Sequence, residues 1–143
     1  MIAGTEQSRL ALGAFTHLGR TMPPNRIIEI GSGTGVFTCW LADTFRDAPL
    51  LTIDNQSRLR WSPIAQTPPN VSRRVCDFAD AVPSLRELIA RPGRVWVLCD
   101  GGDKVKEFKS LAPSLKAGDL LLAHDYWPSR AEFNTARVRH WDH

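Results

Sequence analysis

The segment Arg26–Ala42, which reads RIIEIGSGTGVFTCWLA, limits the possible folds more than any other part of the chain. It begins with apolar β-branched residues that predict a short strand buried on both faces: Ile27, Ile28 and Ile30. Glycines alternate along the turn that follows: Gly31, Gly33 and Gly35. Apolar residues at helical spacing come next and predict a helix. Such a unit brings bare backbone and the positive end of a helix close to a ligand, which suits a negatively charged group.

The spacing of the glycines narrows the choice of ligand. A phosphate-binding loop of the NTPase type needs Gly-Lys-Ser/Thr, and no lysine follows Gly35. The dinucleotide fingerprint needs glycine or alanine where this chain has Val36, which weighs against an NAD-binding domain. The pattern present is E-x-G-x-G-x-G from Glu29 to Gly35, which a tight structural turn would also satisfy.

This pattern resembles the first motif of the class I methyltransferases that use S-adenosylmethionine (SAM). The resemblance implies a SAM-dependent methyltransferase and cofactor contacts along the motif. The implied contact residues are Glu29, Gly31, Ser32, Gly33, Thr34 and Gly35.

Strand and helix patterns alternate along the whole chain and predict the fold class. Further strands are expected at Leu50–Asp54, Val71–Cys76, Val95–Cys99 and Leu120–Ala123. A first helix is expected to end at Gly19 and the Pro23-Pro24 pair. A later helix is expected to begin at the N-cap Asp80, with Pro83 in its first turn. Another is expected to begin at the N-cap Asp103, with Val105 facing inward and Lys104 outward. The prediction is an α/β three-layer Rossmann-like sandwich with a mainly parallel sheet of five strands.

Acidic residues follow the carboxyl ends of these strands, where ligands bind in sheets of this type. Asp54 lies close to the roughly 20-residue offset at which a carboxylate reaches the ribose in nucleotide-binding βαβ units. We therefore predict cofactor contacts for Asp54 and its neighbour Asn55. The family resemblance further implies that Asp77 reaches the adenine amino group and that Phe78 packs on the adenine ring.

The segment from Val97 to Tyr126 resembles one branch of the family, the catechol-type O-methyltransferases and the cephalosporin-hydroxylase-like enzymes. The resemblance implies a magnesium ion held by Asp100, His124 and Asp125, with Asp100 also near the cofactor. Magnesium prefers oxygen ligands, so His124 leaves manganese, zinc or a metal-free site open. Without a metal, Asp100 or His124 is the candidate base for a hydroxyl acceptor, on a small molecule or a sugar.

The C-terminal segment leaves the function of the chain more open. The family's last pair of strands is missing or only begun at Val138–Trp141, so a minimal form, a truncated form and a sheet completed by a partner all remain open. An unpaired sheet edge would favour a homo-oligomer. The alternative function is a non-catalytic or partner-dependent SAM-binding module.

Composition bounds the remaining questions. At 143 residues, we expect one domain: residues 1–25 as a helix and linker, 26–125 as the cofactor-binding core and 126–143 as a short C-terminal segment. A net charge of +3 without a continuous basic stripe argues against nucleic-acid binding. No apolar run is long enough for a membrane span, and no secretory signal is visible. Because Cys39, Cys76 and Cys99 are odd in number and far apart, we expect reduced thiols and a cytoplasmic protein.

Overall fold

The computed structural model of the chain describes residues 9–55 and 67–123 and has the predicted α/β architecture. The strands are β1 (Arg26–Ile30), β2 (Leu50–Asp54), β3 (Val71–Val75), β4 (Val95–Cys99) and β5 (Leu120–Ala123). The α-helices are α1 (Arg9–Thr21), α2 (Val36–Thr44), α3 (Phe78–Ala90) and α4 (Lys104–Leu111), and a 3-10 turn follows at Ala112–Ser114. Each of the five predicted strands is therefore confirmed.

The strands form one parallel sheet in the order β3-β2-β1-β4-β5. The chain moves outward from β1 to β3 and then returns to the other side of β1 to form β4. This reversal makes the crevice between the carboxyl ends of β1 and β4 the topological switch point, where ligands bind in open α/β sheets. The Asp100 amide donates to the Ile30 carbonyl at 2.9 Å, so the turns after β1 and β4 start side by side.

Helices cover both faces of the sheet, which confirms the three-layer arrangement. Side chains of alternate strand positions point to opposite faces, so Ile27 and Ile28 belong to different cores. One core joins β-strand residues to α3 and α4: Ile28, Ile30, Ile53, Val95, Val97 and Cys99 with Ala81, Leu85, Ile89 and Leu111. The other joins the sheet to α2, with α1 packed against it: Ile27, Leu50, Trp96 and Leu98 with Leu41, Ala42, Phe15 and Leu18.

Helix boundaries agree with the prediction at the end of α1 and differ from it at α3. Helix α1 ends at Thr21, between Gly19 and the Pro23-Pro24 pair. Helix α3 begins at Phe78, so Asp80 lies in its first turn and is not the N-cap. Pro83 accordingly lies inside the helix instead of in its first turn.

The buried face of α4 also differs from the prediction. Val105 is 55% exposed, and the inward position is occupied by the carboxylate of Glu107, which is 2% exposed. Lys104 was expected to face solvent, but its ammonium lies 3.5 Å from the Asp100 carboxylate. Asp103 does cap α4 as predicted, since its side chain accepts from the Lys106 amide at 3.0 Å.

No helix within residues 9–55 and 67–123 is long and apolar enough to cross a membrane. The expected ligands His124 and Asp125 lie outside the described residues, as does the strand expected at Val138–Trp141.

Candidate functional site

The glycine turn between β1 and α2 has a backbone conformation that side chains rarely adopt. Its glycines all have positive φ: Gly31 at 89°, Gly33 at 50° and Gly35 at 78°. A Cβ on Gly31 would lie 2.7 Å from the carbonyl carbon of Asp100 and 2.9 Å from the nitrogen of Gly101. A Cβ on Gly33 would meet nothing within 4 Å among the described residues. Gly31 therefore lets two turns pack together, whereas Gly33 borders open space.

The end of β2 is tied to this turn by Asp54. The Gly33 amide donates to Asp54 Oδ2 at 3.0 Å, and the Gly31 amide donates to the Ile53 carbonyl at 2.8 Å. The structure thus brings together the glycine turn and the carboxylate of Asp54, which the spacing along the sequence predicts to lie at the same site. Asn55 and Thr34 are both exposed beside them.

A buried polar network supports the turn from below. Glu29 is 1% exposed, and its Oε2 accepts from the hydroxyls of Thr38 on α2 at 2.6 Å and Thr52 on β2 at 2.5 Å. When Glu29 is ionised, the single hydroxyl proton of Thr52 is used on Glu29, so Ser32 Oγ donates to Thr52 Oγ1, 2.6 Å away. A chain of hydrogen bonds therefore runs from Ser32 in the turn to Glu29 in the core.

Burial dominates the ionisation of this network. It raises the pKa of Glu29 from 4.5 to about 7, against the hydrogen bonds from Thr38 and Thr52, which lower it, while Asp100 and Asp54 raise it slightly further. Glu29 therefore lies beneath the site as a support that is close to half ionised at neutral pH, and its side chain is enclosed by other protein groups.

The end of β3 presents the next pair of predicted contacts. Asp77 is exposed at the N-cap position of α3, with extended backbone at φ −67° and ψ 143°. Phe78 is half-buried and packs against the core beneath α3. The Cys76 amide donates to the Asp54 carbonyl at 3.0 Å, so the ends of β2 and β3 are adjacent.

The turn after β4 places Asp100 next to the glycine turn. Its carboxylate is about one-fifth exposed and lies 3.5 Å from the Lys104 ammonium. Beneath the turn, burial raises the pKa of Glu107, opposed chiefly by backbone hydrogen bonds from Gly101 and Asp103. Burial first, and the Glu107 carboxylate second, raise the pKa of the Cys99 thiol to about 12, which marks it as an inert core cysteine.

The described residues contain one of the three expected metal ligands, Asp100. No group of three His, Cys, Asp or Glu side chains able to hold a metal occurs within the described ranges. The metal site therefore stays a prediction that depends on His124 and Asp125.

Sequence reasoning missed the buried supports of the site. Thr52 interrupts an apolar strand directly opposite Glu29 in the β1–β2 register, and Thr38 lies on the α2 face that covers both. Glu107 precedes the buried Leu111 by four positions, one helical turn, on the same face of α4. In each case the sequence contained a signal for the buried support: a polar residue at a position that the apolar pattern assigns to the core.

The comparison with protein-family models matches residues 28–126 to a methyltransferase domain. The chain belongs to this methyltransferase family. The matched segment contains the glycine turn, Asp54, Asp77 and Asp100, so the family expected from the sequence is confirmed. No curated protein sequence matches the chain significantly.

Solved structures resemble this methyltransferase domain in fold. The apo structure of CmcI has a TM-score of 0.63 at 18% identity, covering 92% of this chain and 61% of CmcI. A structure of CmcI with Mg and SAM has a TM-score of 0.64 at 18% identity, covering 94% of this chain and 62% of CmcI. A protein described as a caffeoyl-CoA O-methyltransferase from Staphylococcus aureus gives 0.64 at 15% identity, covering 95% and 76%. The domain thus spans about three-fifths of the CmcI chains, and the likeness confirms the Rossmann-like fold.

Proposed function

We propose that this domain binds SAM at the turn between β1 and α2 and transfers its methyl group to a hydroxyl of a small molecule or sugar. The observation that carries the proposal is the positive-φ glycine turn held by Asp54 at the topological switch point of the sheet. Family membership supports the reaction, and the similar fold of CmcI with Mg and SAM and of the protein described as a caffeoyl-CoA O-methyltransferase supports the cofactor and an oxygen acceptor.

The residues present fit such a cofactor. The open space beside Gly33 allows a ligand to approach the backbone of the turn, which a side chain would obstruct. Asp54 and Asn55 at the end of β2 would hold the ribose, because a carboxylate accepts hydrogen bonds from both ribose hydroxyls. Asp77 would bind the adenine amino group, with Phe78 against the ring. Glu29 would act indirectly, by holding Ser32 through Thr52.

Methyl transfer to a hydroxyl needs alignment and removal of a proton. When bound, SAM supplies a methyl group activated by the sulfonium, so in-line alignment of the acceptor provides much of the acceleration. Asp100 stands at the end of β4 beside the glycine turn, where a carboxylate can take the proton of an acceptor hydroxyl. We propose Asp100 or His124 for this role, or Asp100, His124 and Asp125 as ligands of Mg or Mn, which would lower the pKa of the hydroxyl.

A second candidate function is a SAM-binding module that is non-catalytic or depends on a partner. Transfer of a labelled methyl group from SAM to any acceptor by the purified chain would contradict it.

The remaining proposals concern the setting of the protein. The three cysteines are free, which agrees with a reducing, cytoplasmic compartment. We propose a small-molecule acceptor, no nucleic-acid partner, one domain over residues 1–143 with its cofactor core at 26–125, and self-association through the sheet edge beyond β5.

The experiment that tests the proposed site is calorimetric titration of Asp54→Ala with S-adenosylhomocysteine (SAH). Loss of two hydrogen bonds to a charged group, at about 1.5 kcal/mol each, predicts roughly 100-fold weaker binding. Asp47→Ala is the matched control, because Asp47 is an exposed aspartate in the turn after α2. Equal SAH affinity in Asp54→Ala and wild type would remove Asp54 from the site.

A further inference from the structure

One buried carboxylate, that of Glu107, lies beneath the turn after β4. Its residue is 2% exposed, in the first turn of α4, and its Oε2 has no hydrogen-bond partner among the described residues. Removing a carboxylate from water is costly unless nearby groups compensate for the lost hydration. A buried acid in this position therefore calls for an explanation in terms of what surrounds it.

The turn after β4 is built around this carboxylate. A Cβ on Gly101 would collide with Glu107 Oε1 and lie 3.1 Å from its Cδ, so a side chain at Gly101 would displace the Glu107 carboxylate. Backbone hydrogen bonds from Gly101 and Asp103 stabilise the ionised form of Glu107. The Glu107 amide in turn donates to the Asp103 carbonyl at 3.0 Å. Backbone groups on either side of Gly102 are thus held by one side chain.

The same turn touches the cofactor side of the sheet. Gly31 packs against the backbone of Asp100 and Gly101 so closely that any side chain at Gly31 would clash with the Asp100 carbonyl. A shift of the turn would therefore move both the Asp100 carboxylate and the first glycine of the cofactor turn. The Lys104 ammonium lies 3.5 Å from the Asp100 carboxylate and helps to hold that side chain.

We propose that Glu107 is a positioning residue that, through the amides of Gly101 and Asp103, fixes the turn carrying Asp100 against Gly31. The inference rests on the proposed function, because its consequence is a correctly shaped SAM site. Glu107 itself is buried beneath the turn and reaches the site through these backbone groups.

The test compares Glu107→Gln with wild type by two measurements. Glutamine keeps the shape and one acceptor but loses the charge, which makes these hydrogen bonds weaker. We expect the Gly101 and Asp103 amides to exchange with solvent about tenfold faster, while the Ile28 amide in β1 is unchanged, and SAH to bind about tenfold more weakly. Glu87→Gln is the control, since Glu87 is exposed on α3, and it should change neither measurement.

The possible outcomes separate this inference from the proposed function. Absence of SAH binding by wild type would overturn the proposed function. The exchange rates of the Gly101 and Asp103 amides in wild type and Glu107→Gln would still show whether Glu107 fixes the turn. Uniformly faster exchange that includes Ile28 would mean a general stabilising role and would overturn the inference, as would unchanged SAH affinity. If Glu107→Gln does not fold, amide exchange in wild type tests the inference instead. Strong protection of the Gly101 and Asp103 amides supports it, and exchange at the rate of an unstructured peptide overturns it.

Discussion

The network beneath the glycine turn makes folding stability depend on pH through one residue, and Glu29→Gln removes that dependence. Glutamine has nearly the same shape, and its carbonyl oxygen can still accept from Thr38 and Thr52, as Glu29 Oε2 does. It cannot ionise, so the difference between the two proteins isolates the ionisation of Glu29.

The magnitude follows from the pKa of Glu29, which burial raises from 4.5 in the unfolded chain to about 7 in the fold. Between these values the folded state holds a proton that the unfolded state has lost, so the free energy of unfolding falls as pH rises. At about 1.4 kcal/mol per pH unit, this loss amounts to roughly 3 kcal/mol between pH 4.5 and 7. Below and above that window the contribution is flat.

Urea unfolding followed by tryptophan fluorescence at pH 4.5, 6, 7 and 8 measures this effect. The free energy of unfolding of wild type minus that of Glu29→Gln should fall by about 3 kcal/mol across the series. The raised pKa of Glu107 acts in both proteins and cancels in the difference. A difference that stays constant from pH 4.5 to 8 would refute the assigned burial and ionisation of Glu29.

Two further substitutions test the structure, one at the site and one at the opposite edge of the sheet. Gly31→Ala should lower the free energy of unfolding by more than about 2 kcal/mol, because its Cβ would meet the Asp100 carbonyl and its φ is positive. Gly102→Ala should cost far less, because a Cβ there meets nothing within 4 Å among the described residues. Equal losses in urea unfolding would contradict this. Burial raises the pKa of Asp119, but hydrogen bonds, led by that from Lys116, lower it by more, so the net pKa is below its ordinary value. Asp119→Asn should therefore lower the free energy of unfolding by about 2 kcal/mol at pH 7 and by less below the ordinary aspartate pKa. A loss that does not depend on pH would contradict the pairing.

The sequence predicted those features that depend on chain order and local pattern. Short apolar runs located the strands, and chain order placed Asp54 at the same carboxyl edge of the sheet as the glycine turn, where its carboxylate accepts from the Gly33 amide. Such features follow from backbone geometry that is nearly the same in every βαβ unit. They could therefore be predicted without knowing the packing of side chains.

The supports of the site could not be predicted in the same way, because they depend on contacts between elements. Thr52 and Thr38 become partners of Glu29 only once β2 pairs in register with β1 and α2 covers both strands. Hydropathy predicts that Val105 faces the core and gives no role to Glu107, whereas in the structure Val105 is exposed and Glu107 is buried. Only the Gly101 turn around the carboxylate explains why the acid is the buried one.

The central claim, a SAM site at the turn between β1 and α2, is tested most directly by calorimetric titration of the purified chain with SAH and, separately, with NAD. We predict SAH binding with a dissociation constant on the order of micromolar, an interaction of about 8 kcal/mol, and much weaker binding of NAD. A chain that unfolds cooperatively yet binds no SAH, or binds NAD more tightly, would contradict the claim.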